Sequence, residues 1–160
     1  SFYVCYRMGT IKPNPSFPQV LFSDYNVGSG SDANFWALLI FYDFTYALGY
    51  VLRNGGSTYE AGTIDPRVFD GGWHVAFCTL NRTAARMRFY LDGELEMETP
   101  INGAADYFDD VTIYLGHLKP GGGAGDYFRG DIDKVWTFIR EVSQGEVASI
   151  SETLLGGLVE

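Results

Sequence analysis

Three glutamates recur at alternate positions in the middle of the chain, at Glu94, Glu96 and Glu98. Successive side chains of a β-strand point to opposite faces, so this spacing predicts three carboxylates on one face of a strand. Paired carboxylates cleave glycosidic bonds when one acts as nucleophile and the other as general acid. This run directly follows an Asp-Gly turn and lacks the central Asp of an E-x-D-x-E glycosidase strand. We therefore expect these carboxylates to be solvated and the chain not to be an enzyme.

Other catalytic or metal-binding motifs are absent from the sequence. It contains no G-x-S-x-G, H-E-x-x-H, C-x-x-C or phosphate-binding P-loop pattern. The two histidines, His74 and His117, lie far apart in the chain, and neither has a second zinc ligand beside it in sequence. We expect no catalytic residue and no cofactor other than calcium.

A long polar segment, residues 24–34, carries the oxygen-bearing side chains of Asp24, Asp32 and Asn34. Calcium is bound by oxygen ligands, so these three residues predict a calcium site in the segment. Aspartate also stabilises turns by bonding to nearby backbone groups. The sequence leaves both interpretations open.

Two further segments combine tyrosine with aspartate. Asp106 and Tyr107 lie in the first, and Asp126 and Tyr127 lie in the second. Sugars present apolar patches ringed by hydroxyl groups, which suit an aromatic face placed next to a carboxylate. These four residues are the predicted ligand-binding residues.

The composition indicates a folded domain with an acidic surface. The chain has 160 residues, 46% of them hydrophobic, and a formal net charge of -9. No apolar run approaches the roughly 20 residues that a membrane-spanning helix needs. Nucleic acids and anionic membranes are bound by clustered Lys and Arg. We therefore expect neither a nucleic-acid partner nor membrane insertion.

Strand patterns run through almost the whole chain. Met87, Phe89 and Leu91 alternate with polar or amphipathic neighbours, which is typical of a half-buried strand. The following Asp-Gly pair predicts a two-residue hairpin turn. Further strands are predicted at residues 2–8, 19–23, 35–42, 46–52, 73–80, 111–115 and 131–139. Only residues 143–152 have a helical pattern, with Ser143 as its N-cap.

Five ordered motifs resemble those of laminin-G-like and pentraxin-like domains. The first two, residues 73–76 and 90–93, resemble "W-H-hydrophobic-A" and "Y-x-D-G". Residues 113–116 resemble "I-x-L-G", residues 128–135 resemble "F-x-G-x-I-D-x-V", and residues 143–150 resemble the short final helix. The resemblance implies an all-β, two-sheet antiparallel jelly-roll sandwich of the concanavalin A-like type with one short C-terminal helix. We expect residues 1–160 to form a single laminin-G/pentraxin-like domain, an excerpt of a longer protein.

The same resemblance implies a disulfide and a further strand. A pentraxin disulfide joins the strands that match those of Cys5 and Cys78, which implies a bridge here and an oxidising compartment. Two buried free thiols are the alternative. The family has one more strand before the position of Phe2, so we expect residues 154–159 to pair as a strand beside the chain start.

Members of this family recognise glycans, lipids or proteins, mostly without catalysis. We therefore expect a non-catalytic recognition module that binds glycans or a protein receptor in adhesion or host and cell-surface recognition. Its location would be extracellular or surface-exposed, within a homo-oligomer or a larger parent chain. In a secreted protein, the sequon that begins at Asn81 predicts glycosylation. The alternative is a structural or oligomerisation module without a sugar site, such as a decoration or adhesion domain of a virion.

Overall fold

Alternating apolar and polar side chains fold this chain into strands that pack as two sheets. The computed structural model describes residues 1–8, 19–25, 35–40, 47–54, 57–102, 113–116 and 127–158. Within those ranges the strands are β1 (Phe2–Met8), β2 (Gln19–Tyr25), β3 (Phe35–Ile40), β4 (Leu48–Asn54), β5 (Ser57–Thr63), β6 (Trp73–Asn81), β7 (Arg86–Leu91), β8 (Glu94–Pro100), β9 (Ile113–Leu115) and β10 (Gly130–Thr137). One helix, α1 (Gln144–Gly156), follows β10, and a short 3₁₀ turn spans Pro66–Phe69.

The strands form two antiparallel sheets of five strands each. Sheet I has the order β10-β1-β6-β7-β8, and sheet II has the order β5-β4-β3-β2-β9. The sequence of strands crosses between the sheets several times, as in a jelly roll. The predicted two-sheet sandwich is confirmed, and so is the hairpin between β7 and β8. Its turn residues Asp92 and Gly93 have φ values of +52° and +91°, which suit a two-residue turn of this kind.

The main core lies between the two sheets. Met87, Phe89 and Leu91 all point inward from β7, as their alternation predicts. Phe2 of β1 sits at the centre of an aromatic group, with its ring centroid 5.0 Å from that of Phe22 and 5.3 Å from that of Tyr50. These side chains are almost fully buried, so their removal from water is the main force that joins the sheets.

A second apolar layer covers the outer face of sheet I. Tyr3, Val75, Phe77 and Tyr90 point outward from three neighbouring strands and are buried beneath α1. Val147 is the fully buried contact residue of the helix. No helix in the described part of the chain is long and apolar enough to cross a membrane.

The helix begins as the sequence predicts but ends later. Ser143 caps it, and Glu146 bonds back to the Ser143 backbone to complete a capping box. Leu154 and Leu155 lie in its last turn and pack on the outer layer of sheet I. The prediction that residues 154–159 form a strand is therefore wrong for the described part of that segment. β1 is also not an edge strand, because β10 and β6 pair with its two sides.

The predicted disulfide between Cys5 and Cys78 is not present in the structure, where both residues are buried free cysteines. Their strands are adjacent, but Cys5 lies opposite Val75 and Cys78 lies opposite Phe2. This three-residue offset corresponds to about 10 Å along the strands, beyond the roughly 7 Å that a disulfide spans between Cα atoms. The two thiols also lie on opposite faces of the sheet, because Cys5 belongs to the outer layer and Cys78 to the main core. Without the bridge, the cysteines give no argument for an oxidising compartment.

Candidate functional site

A groove with a volume of about 710 Å³ lies at the end of the sandwich where β6 passes into β7. One wall is the end of β6 with the turn that follows it, and the other is the segment that joins β10 to α1. We call it the β6–β7 groove. Its lining residues are Ser1, Phe2, Leu80, Asn81, Arg82, Thr83, Ile113, Thr137, Phe138, Ile139, Arg140 and Glu141.

Two polar side chains of this groove are fixed by hydrogen bonds. The Asn81 amide oxygen accepts from the Ala84 backbone N–H at 2.7 Å, which holds the turn after β6. The Asn81 amide nitrogen donates to the Glu141 carboxylate. Arg88 Nη1 lies 3.3 Å from the other oxygen of Glu141. The carboxylate is thus held by donors from two neighbouring strands, and little side-chain freedom remains to be lost when a ligand binds.

The remaining lining residues differ in chemistry from one wall to the other. Arg82 and Thr83 lie exposed in the turn after β6 and bring groups that hydrogen-bond. Phe138 is half-buried and stacks on Phe77 with ring centroids 5.8 Å apart, while Ile139 is fully exposed. The groove therefore combines hydrogen-bonding groups with apolar side chains. This combination suits a ligand that has apolar patches surrounded by hydroxyl groups.

Arg140 connects the groove to the start of α1. Its guanidinium lies 2.6 Å and 3.1 Å from the two carboxylate oxygens of Glu146. Glu146 also accepts from the Ser143 backbone N–H at 2.9 Å. The bond from Arg140, followed by those from Ser143, lowers the pKa of Glu146 to about 2. Glu146 therefore stays ionised at ordinary pH and keeps Arg140 in position beside the groove.

The histidine and aspartate of the two family-like motifs meet in space. His74 Nδ1 lies 2.8 Å from the Asp92 carboxylate and Nε2 lies 3.1 Å from that of Asp70. The other oxygen of Asp92 accepts from the Val75 backbone N–H at 2.8 Å. Burial lowers the pKa of His74, but the bonds to Asp92 and Asp70 outweigh it and leave the pKa above its ordinary value. Because the His74 ring is almost fully buried, these residues fasten the β7–β8 hairpin to β6.

The three glutamates of β8 do not share one face, and that prediction is wrong. The register between β7 and β8 shifts between Phe89 and Tyr90, so that Glu96 is an extra residue on β8. A bulge of this kind changes the alternation of the residues on either side of it. Glu94 is exposed as expected, but it and Glu98 no longer point in the same direction.

The contacts of these glutamates agree with the shifted register. Glu96 accepts from the Thr63 hydroxyl of sheet II at 2.6 Å and is only 19% exposed. Glu98 pairs instead with Arg88 Nε at 2.6 Å and Arg86 Nη1 at 3.1 Å. Glu94 and Glu96 both lie near Arg67, whose Nη2 is 3.7 Å from one carboxylate and 3.8 Å from the other, whereas Glu98 lies apart from them with its own two arginines.

Most of the predicted ligand-binding and calcium-binding residues lie outside the described part of the chain, namely Asp32, Asn34, Asp106, Tyr107 and Asp126. The backbone of Asp24 pairs with those of Trp36 and Ile113, at the same end of the sandwich as the β6–β7 groove. Tyr127 is exposed and forms a bridge with Val20 at the opposite end. Asn81, the predicted glycosylation residue, lies in the groove itself.

Sequence reasoning missed the groove and one exposed aromatic residue. Trp136 is 60% exposed although it lies within β10. It follows Val135, which points inward, so strand alternation was the signal that places it outside the core. The groove has no such signal, because its residues come from segments about 60 positions apart in the chain, as Asn81 and Glu141 show.

The two-sheet sandwich defines a domain of the concanavalin A-like type. The family model of the concanavalin A-like lectin/glucanases superfamily, Laminin_G_3, matches residues 11–148. The chain therefore belongs to this family, as the sequence motifs indicate. No curated protein sequence matches it.

Solved structures show the same fold. The CBM40 domain of a Ruminococcus gnavus IT-sialidase, bound to α2,3-sialyllactose, superposes with a TM-score of 0.69 at 19% identity, covering 94% of this chain and 80% of that one. Domains LG4-5 of the mouse laminin α1 chain give a TM-score of 0.62 at 13% identity, covering 90% and 36%. A heptameric SAP-like pentraxin of Limulus polyphemus gives 0.60 at 17% identity, covering 94% and 69%. At these identities the similarity shows a shared fold.

Proposed function

We propose that this chain is a non-catalytic module that binds glycans, and that the β6–β7 groove is its binding site. The observation that carries the proposal is the fixed pair of Asn81 and Glu141, which lines the groove together with the apolar side chains of Phe138 and Ile139. An amide both accepts hydrogen bonds from sugar hydroxyls and donates to them, and a carboxylate accepts from them. The apolar wall packs against the C–H faces of a sugar ring.

The comparisons support a glycan as the ligand class. A CBM40 domain with this fold is bound to sialyllactose. Carbohydrate-binding and laminin G domains are non-catalytic, and the Glu94–Glu98 run of this chain lacks the central Asp of an E-x-D-x-E glycosidase strand. We therefore infer a binding role without catalysis, in adhesion or cell-surface recognition. Since the glycans concerned are displayed outside cells, the proposed location is extracellular or surface-exposed.

Calcium stays a separate prediction. Among the residues that the structure describes, no three His, Cys, Asp or Glu side chains come together as a metal site. Of the predicted ligands, only the Asp24 backbone lies in the described ranges. We propose that calcium, where it affects ligand binding, binds the segment between β2 and β3. The measurement that checks this is the affinity for the ligand before and after calcium is removed by a chelator.

The experiment is a glycan array followed by affinity measurements on the best ligand, with and without calcium. The substitutions Arg82→Ala and Glu141→Gln should each weaken binding by about tenfold, which corresponds to the loss of one good hydrogen bond. Arg129→Ala is the matched control, because Arg129 is an exposed arginine at the opposite end of the sandwich. Equal losses of affinity for Arg82→Ala and Arg129→Ala would show that the β6–β7 groove is not the binding site. If no glycan on the array bound the protein, the proposed function itself would be wrong.

A further inference from the structure

Among the described residues, β9 and β10 form the edges of the two sheets on the same side of the sandwich. We call this side the open margin. Leu115 lies opposite the core residue Phe22 and therefore points inward, yet it is 52% exposed. Ile113 also points inward and is 45% exposed. Aliphatic side chains that face the interior but remain in water leave apolar surface available for a partner.

The free edge of β10 has a defined hydrogen-bonding pattern. Within the described ranges, β10 pairs only with β1. Phe138 exchanges two backbone hydrogen bonds with Ser1, at 2.7 Å and 3.2 Å. In an antiparallel ladder these bonds alternate along the strand. The backbone groups of Trp136 therefore point to β1, whereas those of Val135 and Thr137 point to the open side.

We propose that two copies of this chain pair antiparallel along β10, about a twofold axis at Val135. In this register Val135 lies opposite Val135 of the second copy, and Trp136 lies opposite Lys134 of the second copy. The two Val135 residues supply backbone hydrogen bonds between the copies. By the twofold symmetry each residue contact is made twice, so the interface closes on itself as a dimer.

Side-chain chemistry selects this occupant and this register. Lys134 and Trp136 are opposite the outward-facing residues Cys5 and Tyr3, so both lie on the outer face of sheet I. The 60%-exposed Trp136 ring can therefore receive the ammonium group of the opposing Lys134 in a cation–π contact. On the inner face, Val135 of the second copy covers the apolar surface around Leu115.

Charges on β10 disfavour the alternative registers. Asp133 is the extra residue of a bulge between Lys134 and Ile132, and it is paired with Lys134 at 3.4 Å. A pairing centred on Asp133 would bring two carboxylates together across the axis, which is unfavourable. Bulges and charges of this kind hinder strand pairing at sheet edges. The ladder between the two copies should therefore not extend from Asp133 towards the start of β10. Pairing is thus confined to the segment that begins at Asp133 and ends at Thr137.

This inference does not rest on the proposed glycan site, although Ile113 and Thr137 border both the β6–β7 groove and the open margin. The experiment is analytical ultracentrifugation of the chain over a wide concentration range. We expect a concentration-dependent dimer. Val135→Pro removes an N–H that points to the open side and leaves the β1 ladder intact, so it should weaken the dimer by at least about tenfold. Trp136→Ala, which alters no backbone group, should also weaken it.

Ile64→Ala is the matched control, because Ile64 is an exposed apolar residue outside β9 and β10. Hydrogen exchange adds a direct readout: the amides of Val135 and Thr137 should become protected only at high protein concentration. A monomer at every concentration would overturn the proposal. So would a dimer that survives both β10 substitutions, or protection of the Val135 amide in the dilute monomer.

Discussion

The link between His74 and Asp92 gives the sharpest test of how the motifs stabilise the fold. We consider Asp92→Asn, which keeps the size of the side chain and its tolerance of a positive φ. The asparagine oxygen can still accept from the Val75 backbone N–H. What is lost is the negatively charged acceptor 2.8 Å from His74 Nδ1, because the asparagine places its NH2 group there. The substitution therefore tests the charged hydrogen bond between Asp92 and His74.

The expected loss follows from the burial of this pair. A hydrogen bond to a charged group contributes about 1.5–3 kcal/mol to stability. For a chain of this length, a loss of about 2 kcal/mol lowers the melting temperature by roughly 4–8 °C. Asp70→Asn is the control, because the Asp70 side chain is 52% exposed and its bond to His74 should contribute less.

The effect should depend on pH in a definite direction. Folding raises the pKa of His74, so the stabilisation is fully present below about pH 6.5, the ordinary pKa of histidine. It is lost as the pH rises through the higher pKa of the folded state. The difference in unfolding free energy between wild type and Asp92→Asn should therefore be largest near pH 6. Urea unfolding between pH 5.5 and 9, together with an NMR titration of His74, measures it. Equal stabilities at low pH, or a difference that grows with pH, would refute the reasoning.

Three further predictions concern α1 and the cysteines. Ser143→Ala removes the helix cap and should cost about 1 kcal/mol in urea unfolding, whereas Ser149→Ala, at an exposed helical position, should change little. Val147→Ala leaves a cavity beneath α1 and should cost roughly 2 kcal/mol; a change within error would mean that the helix is not docked on sheet I. Burial raises the pKa of the Cys5 thiol to about 11 and that of Cys78 well above its usual value, so both should resist a thiol reagent at pH 8 in the folded protein. In denaturant without reductant both should react, and failure to do so would restore the Cys5–Cys78 disulfide.

Local alternation and turn chemistry predicted most of the strands. β7 is the clearest example, because Met87, Phe89 and Leu91 face the core as predicted. β5 was not predicted, since its sequence is polar at the start and has no apolar alternation. It forms because its residues pair with those of β4, from Leu48 opposite Thr63 to Asn54 opposite Ser57. Strand pairing, which depends on a neighbour, supplied what the local pattern lacked.

The errors have physical causes of the same kind. Residues 154 and 155 are apolar enough for a strand, but the helix that begins after Ser143 continues through them because they pack on the outer layer of sheet I. The face of Glu96 depends on a bulge, which a period of two cannot show. The disulfide prediction was wrong because of the strand register: β1 and β6 are adjacent, but their register does not place Cys5 opposite Cys78.

The site was less accessible to prediction than the fold. The sequence predicted ligand-binding residues where tyrosine and aspartate are neighbours in the chain, and calcium ligands in residues 24–34. Of all these residues, only Tyr127 and the backbone of Asp24 lie in the described ranges. The β6–β7 groove joins the turn after β6 to the segment after β10. Such a long-range meeting depends on the order of strands in sheet I.

The central claim is that the β6–β7 groove binds a glycan. The most direct measurement is NMR mapping of backbone amide shifts on titration with the best ligand from a glycan array. We expect saturable shifts centred on Asn81, Arg82 and Glu141, with the amides of Tyr127 and Arg129 at the opposite end unchanged. Saturable shifts that centre on Tyr127 and leave Asn81 and Glu141 unchanged would contradict the account.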